Sequence, residues 1–295
     1  MSKGTKNKNK NDRLFLFFCY AIVTILTLLV LYPLIYIISA SFSNSDMVVQ
    51  GKVWLWPVGF TTEAYKRMLQ RSDVWLGYRN TIYYTVLGTL INLAITLMCA
   101  YPMARRNLRG RGVIMFMFTF TMMFSGGMVP SYMLVRGLGI MNTTWAMVLP
   151  GAMSIYNMIV CRTFIQTNIP NEMLEAAQID GCDDIQFFFK MVLPLSKAII
   201  AVLTLWYSVG HWNSYMSAFL YLRESSRYPL QIYLKEILVQ SQHLGDDASV
   251  TGNVSSVYET LKYSMIVIAS APLLCIYPFI QKYFQKGVMV GSVKG

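Results

Sequence analysis

Six apolar runs, each about as long as a helix needs to cross roughly 30 Å of hydrocarbon, constrain this chain more than any other feature. They cover Leu14 to Ser39, Thr81 to Ala104, Val113 to Val135, Thr144 to Phe164, Ala198 to Leu222 and Ser264 to Lys282. One soluble core of 295 residues has no use for that much apolar surface; with 55% hydrophobic and 13% charged residues, the surplus must face lipid. The expected fold class is therefore an all-α membrane protein with six transmembrane helices. The third run is the least regular, because Gly126, Gly127 and Pro130 interrupt its outer half. The first follows the basic stretch Lys3 to Arg13, as a signal peptide would. It is too long for a signal core and lacks a small-residue cleavage site, so it reads as a retained span.

The net charge of +11 does not point to nucleic acid, since the basic residues gather at the ends of apolar runs and form no stripe. They orient the chain instead. Lys3, Lys6, Lys8, Lys10 and Arg13 precede the first run, Arg105, Arg106, Arg109 and Arg111 follow the second, and Lys282, Lys286 and Lys294 follow the sixth. The excess of Lys and Arg on inner loops then puts both termini in the cytoplasm of a bacterial plasma-membrane protein. Two longer loops fall outside. Phe42 to Asn80 carries Trp54, Trp56, Trp75 and an amphipathic stretch, Thr61 to Leu69, which reads as an interfacial anchor. Arg223 to Tyr263 is polar and Ser-rich, a solvated connector or a surface for an external partner.

Cys19, Cys99, Cys161, Cys182 and Cys275 are scattered and form no metal or disulfide pattern; no metal site is expected. Residues 166–197 are too long for a passive turn and too polar to span, so they form a structured inner-face element. Asn168 and Pro170 signal a helix start, with Glu172 and Glu175 early in the helix where its dipole favours acids. Asp180 and Gly181 end it. A second short helix, capped by Asp183 or Asp184, runs through Phe187, Phe188 and Phe189 towards Pro194.

Within this element Glu175-Ala176-Ala177, then three residues and Gly181, then nine residues and Met191-Val192-Leu193-Pro194, resemble the E-A-A signature of ATP-binding-cassette (ABC) import permeases. Met191 stands where that signature has Ile, a volume-conserving swap. The extended form through Asp180, together with Trp212-Asn213 and the terminal Lys286 to Gly295, resembles the carbohydrate-uptake branch, the maltose-type second permeases. The resemblance implies a type I importer permease fold: a basic tail over 1–13, a permease domain over 14–282 containing the 166–197 coupling loop, and a tail over 283–295. It implies that Glu175, Ala176, Ala177, Asp180, Gly181, Leu193 and Pro194 couple to an ATPase, and that Gly287, Gly291, Lys294 and Gly295 reach the ATPase interface. The implied partners are a second, non-identical permease, two ATPase subunits, an extracytoplasmic sugar-binding protein and membrane lipid. No cofactor is expected in this chain; ATP and Mg belong to the partner subunits, since it has no phosphate-binding Gly-Lys-Ser/Thr loop and is not itself an enzyme.

The spans hold almost no ionisable groups. Arg162 lies near one end of the fourth, and His211 is the only ionisable group well inside one. Ion-driven carriers generally need buried carboxylates, so that class is disfavoured. A membrane-embedded enzyme is disfavoured too, because His211 and His243 have no metal-binding spacing. Trp212, Asn213, Tyr215, Asn157 and His211, with Asn92 and Tyr156, are the candidates for lining a sugar pathway, which needs amides and flat aromatic faces. They serve equally as interhelical hydrogen bonds and packing. An importer of amino acids or peptides is the alternative within the same class.

Overall fold

The computed structural model describes residues 10–246 and 252–288, and every regular element among them is helical. The chain divides into two compact units, Met1–Gln70 with Glu236–Ala269, and Arg71–Lys235 with Ser270–Gly295.

In the first unit, α1 (Lys10–Ser41) is apolar around its whole circumference, and its large side chains from Leu14 to Leu34 are mostly exposed. Such a helix is stable only against lipid or another chain. Its last turns pack within this unit: Ala40 is buried with Val48 and Val53, and Tyr36 packs edge-on against Tyr263. Asn44 caps α2 (Ser45–Val49) by accepting a 2.9 Å bond from the Asp46 amide. The amphipathic stretch becomes α3 (Glu63–Gln70), which buries Ala64 and Met68 and turns the Glu63–Arg67 pair outward. Trp54 and Trp56 are exposed.

The second unit is organised by α4 (Ser72–Ala104), whose buried face is a row of small and polar residues at helical spacing: Gly77, Asn80/Thr81, Tyr84, Gly88, Asn92, Thr96 and Ala100. Small residues let backbones approach, and the polar ones hydrogen-bond across, which is how helices associate where lipid removes the hydrophobic drive. Against this face pack α8 (Ile155–Asn168) and α12 (Lys197–Trp212), around Leu97, Met158, Cys161 and Leu203.

Among the described residues three helices are long and apolar enough to cross a bilayer: Asp12–Ser41, Ser72–Ala104 and Ser256–Pro278, the last within α15 (Gly252–Val288). The third expected span is bent by 112° between α5 (Arg111–Met123) and α6 (Met128–Gly137). Gly127 sits at φ +83° at the bend, a conformation that L side chains resist. The fourth expected span, 144–164, is not one helix: α7 (Thr144–Val148) and the 14-residue α8 are separated by a stretch containing Pro150 and Gly151. The fifth ends early, with Asn213 and Ser214 breaking α12 from α13 (Tyr215–Tyr221). Nor is the second long loop a plain connector, for α14 (Leu230–Asp246) fills much of it, with Leu230, Ile232, Tyr233 and Ile237 buried.

Candidate functional site: a polar cavity and a folded interhelical segment

Where α7 and α8 part, a cavity of about 430 Å³ opens between α4, the 149–154 break and α12. Asn92, Asn157, His211, Asn213, Trp206 and Tyr207 line it with amides, an imidazole and aromatic faces. Its lining sets neutral donors and acceptors beside flat apolar surface.

Two side-chain pairs tie the three walls together. Asn92 donates from its amide to the Gly151 carbonyl at 2.6 Å, and its Oδ1 lies 2.8 Å from His211 Nε2. That oxygen only accepts, so His211 carries its proton on Nε2. One turn along, the Thr96 and Tyr207 hydroxyls are 2.6 Å apart, and the Tyr207 oxygen also accepts from the Ser154 amide at 3.2 Å. Ser154 in turn caps α8, its hydroxyl accepting from the Asn157 amide. Two backbone groups of the break, the Gly151 carbonyl and the Ser154 amide, are thus met by side chains from the two neighbouring helices, as irregular backbone in an apolar surround demands.

His211 fits there only because position 88 is glycine. A Cβ on Gly88 would stand 2.4 Å from His211 Cε1 and Nε2 and 2.8 Å from its Cδ2. The missing side chain at Gly88 leaves room for the ring that bonds to Asn92.

The structure brings together Asn157, His211 and Asn213 among the sequence candidates, with Asn92. It does not bring Trp212 or Tyr215 to them. Trp212 is buried towards a separate apolar groove with Tyr78, Val209 and Leu273, and its ring meets Tyr78 edge-on at 6.4 Å. Tyr215 stacks on Phe219 at 5.8 Å. Tyr156 is exposed beside Trp206. Gly88, Thr96 and Tyr207 were not legible as site residues singly. The signal was the pairing of two four-residue spacings, Asn92/Thr96 and Tyr207/His211, each on one helix face.

The 166–197 segment folds as helix, turn, helix. Asn168 does not cap its first helix: its amide donates back to the Phe164 carbonyl at 2.9 Å, leaving Pro170 at the cap of α9 (Asn171–Ile179). Asp180 closes α9 and Gly181 takes φ +77°. Asp183 caps α10 (Asp184–Phe187), accepting from the Gln186 amide at 2.6 Å. A wider π turn, Phe188–Val192, and α11 (Leu193–Leu195) then lead into α12 at 78°.

One face of this segment is anchored. Leu174, Phe187 and Val192 are buried, and Ala177 and Leu193 pack on the same core. Arg105, from the arginine-rich loop after α4, forms a 2.6 Å ion pair with Asp184 and lies 5.1 Å from the Tyr101 ring and 5.5 Å from that of Phe187. The other face is bare. Glu175, Ala176, Asp180, Gly181 and Pro194 are exposed, as are Ile179 at 87%, Ile185 at 70% and Phe189 at 61%. Large apolar side chains so exposed at the tip of a rigid turn mark a contact surface. Gly287 lies in the last turn of α15; Gly291, Lys294 and Gly295 lie outside the described residues. Among the described residues no group of His, Cys, Asp or Glu could hold a metal ion.

An all-helical membrane fold with a polar cavity among its helices and a rigid, half-exposed interhelical element defines a transport subunit. The chain belongs to the binding-protein-dependent transport system inner membrane component family, whose model matches residues 92–290. It is 41% identical to the polygalacturonan/rhamnogalacturonan transport system permease protein YtcP of Bacillus subtilis, over 96% of this chain and 99% of that one. To Protein LplC of the same organism it is 39% identical, over 89% of each. Its fold matches, with a TM-score of 0.83 and 34% identity over 94% of this chain and 98% of the other, a chain from the crystal structure of a bacterial ABC transporter involved in the import of the acidic polysaccharide alginate. The type I ABC importer permease fold is thereby established.

Proposed function

We propose that this chain is one permease subunit of an ABC importer for an oligosaccharide, forming half of an alternating-access pathway. The observation that carries this reading is the half-anchored segment at residues 166–197: one face locked to the helices by Phe187 and the Arg105–Asp184 pair, the other presenting Glu175, Ile179, Ile185 and Phe189 to a partner. A push applied to such an element travels into α12, which it joins end to end, and so to the cavity.

In this reading α1, α4, the α5–α6 pair, the α7–α8 pair, α12 with α13, and α15 make six crossings with both termini in the cytoplasm. Two ATPase subunits take the exposed face of the segment, with Glu175 offered to a basic side chain. They also hydrolyse the ATP. The C-terminal residues Gly287, Gly291, Lys294 and Gly295 reach the same subunits, and a second, non-identical permease completes the pathway. An extracytoplasmic binding protein delivers the sugar. The polar cavity supports a sugar as cargo, and the names of the relatives favour an acidic one, since polygalacturonan and alginate are both uronate polymers.

Reconstitution of the complete transporter in liposomes tests this. Uptake of an oligosaccharide should require ATP and the binding protein, and Glu175→Ala or Gly181→Val should release the ATPases and abolish uptake while the permease stays inserted. Uptake driven by an ion gradient without ATP, or full activity in both variants, refutes it.

A further inference from the structure

A second cavity of about 430 Å³ lies at the other end of α4 from the arginine-rich loop. Arg79, Asn80, Tyr83 and Tyr84 from α4, Thr144 at the start of α7, and Ser226 and Arg227 from a 3-10 turn (Ser225–Arg227) line it. Nothing in the transport pathway already described uses it.

The turn is held in place with unusual thoroughness. The Asn80 amide donates to the carbonyls of Ser226 (2.8 Å) and Tyr228 (3.1 Å), and the Tyr84 hydroxyl donates to that of Arg227 at 2.9 Å. Thr81 accepts from the Leu230 amide at 2.8 Å, and Tyr233 donates to Ser225 at 2.9 Å. Asn142 accepts from the amides of Arg223 and Glu224. These bonds fix Arg227 on the same cavity wall as Arg79. Glu224 occupies only the Nε edge of Arg227, at 3.2 Å; Arg79 has no ion pair among the described residues. Arg79 is exposed and Arg227 partly so, which leaves both guanidinium groups open to an anion arriving from solvent. The neighbouring rings define which anion. Guanidinium forks match a carboxylate in two-point geometry, and tyrosine faces suit the C–H face of a pyranose.

We propose that this cavity is a carboxylate subsite, in which Arg79 and Arg227 receive the uronate group of an acidic oligosaccharide while Tyr83 lies against its ring, before the sugar reaches the neutral cavity at Asn92 and His211. The inference rests on the importer reading, which puts this end of α4 outside the membrane. It makes recognition of charge and recognition of hydroxyls two separate stations along one chain.

The test uses the complete transporter in proteoliposomes with trigalacturonate and its fully methyl-esterified, neutral form. Arg79→Gln is expected to lower trigalacturonate uptake at least tenfold at low substrate, Arg79→Lys to recover most of it, and neither to change the affinity of the binding protein for the transporter by more than twofold. Unchanged trigalacturonate uptake in Arg79→Gln overturns the assignment. An equal loss for both sugars together with weakened binding-protein affinity also overturns it, because the cavity would then seat an acidic side chain of that protein. A wild-type transporter that takes up neutral oligosaccharide but no trigalacturonate removes the subsite and leaves the permease reading standing, whereas absence of any ATP-driven sugar uptake removes both.

Discussion

Adding one methyl group at position 88 should dismantle the contact on which the neutral cavity depends. In Gly88→Ala the new carbon would stand 2.4 Å from two atoms of the His211 ring, more than 1 Å inside ordinary carbon contact at about 3.5 Å. Either α4 and α12 separate, or the imidazole swings away and gives up its 2.8 Å bond to Asn92. Overpacking costs about 1–3 kcal/mol, and the lost bond about 1 kcal/mol more, so the variant should be destabilised by roughly 2–4 kcal/mol. Removing the ring removes the clash. A double-mutant cycle of Gly88→Ala with His211→Ala, followed by equilibrium unfolding in mixed micelles, should therefore return a coupling energy of at least about 1 kcal/mol, with the double variant more stable than the two single effects predict. Sugar uptake should fall in Gly88→Ala. Additive effects, or a Gly88→Ala protein as stable and active as the parent, would refute the packing argument.

Tyr207→Phe leaves Thr96 and the Ser154 amide without their shared partner in a buried place; unfolding should show a loss of about 1–3 kcal/mol, larger than for a surface Tyr→Phe change. Gly181→Val forces a β-branched residue to φ +77°, at a cost of order 1–3 kcal/mol felt mainly within the segment, so ATPase co-purification should drop more than thermal stability does. The hydrogen bond from Arg227, then that from Asn142, holds the Glu224 carboxyl below the ordinary glutamate value. What this group contributes is present above the ordinary carboxylate range and is lost as pH falls through its lowered pKa. Site-specific titration should find its midpoint below that of a free glutamate, and Arg227→Gln should raise it.

The architecture was legible where local chemistry dictates it. Six apolar runs announce the membrane class, and Asp183, Asp180 and Gly181 cap and close the helices of the 166–197 segment because capping needs only neighbours in sequence. Boundaries set by tertiary contacts were not legible. The run from Thr144 to Phe164 contains enough apolar residues for one helix, yet Pro150 and Gly151 open it, and the Gly151 carbonyl and Ser154 amide are met by Asn92 and Tyr207 from distant helices. Trp212 illustrates the same limit: it neighbours the cavity residue Asn213 in sequence, but on a helix consecutive side chains diverge by about 100°, and Trp212 faces the apolar groove. His211 and Asn92 were recognisable as polar groups in apolar runs; that Gly88 makes room for them was not, since a glycine's role is defined by what approaches it.

The interrupted stretch between α7 and α8 has a mechanical consequence. Its Gly151 carbonyl is held from α4 and its Ser154 amide from α12, so the start of α8 is stitched on both flanks to helices that would otherwise slide past it. Rotation of α12, driven from the segment that precedes it, would drag the Tyr207 hydroxyl and with it the first turn of α8. Under the proposed function, the gap in the helix would act as a universal joint, turning torque at one end of the bundle into a change of shape around the cargo.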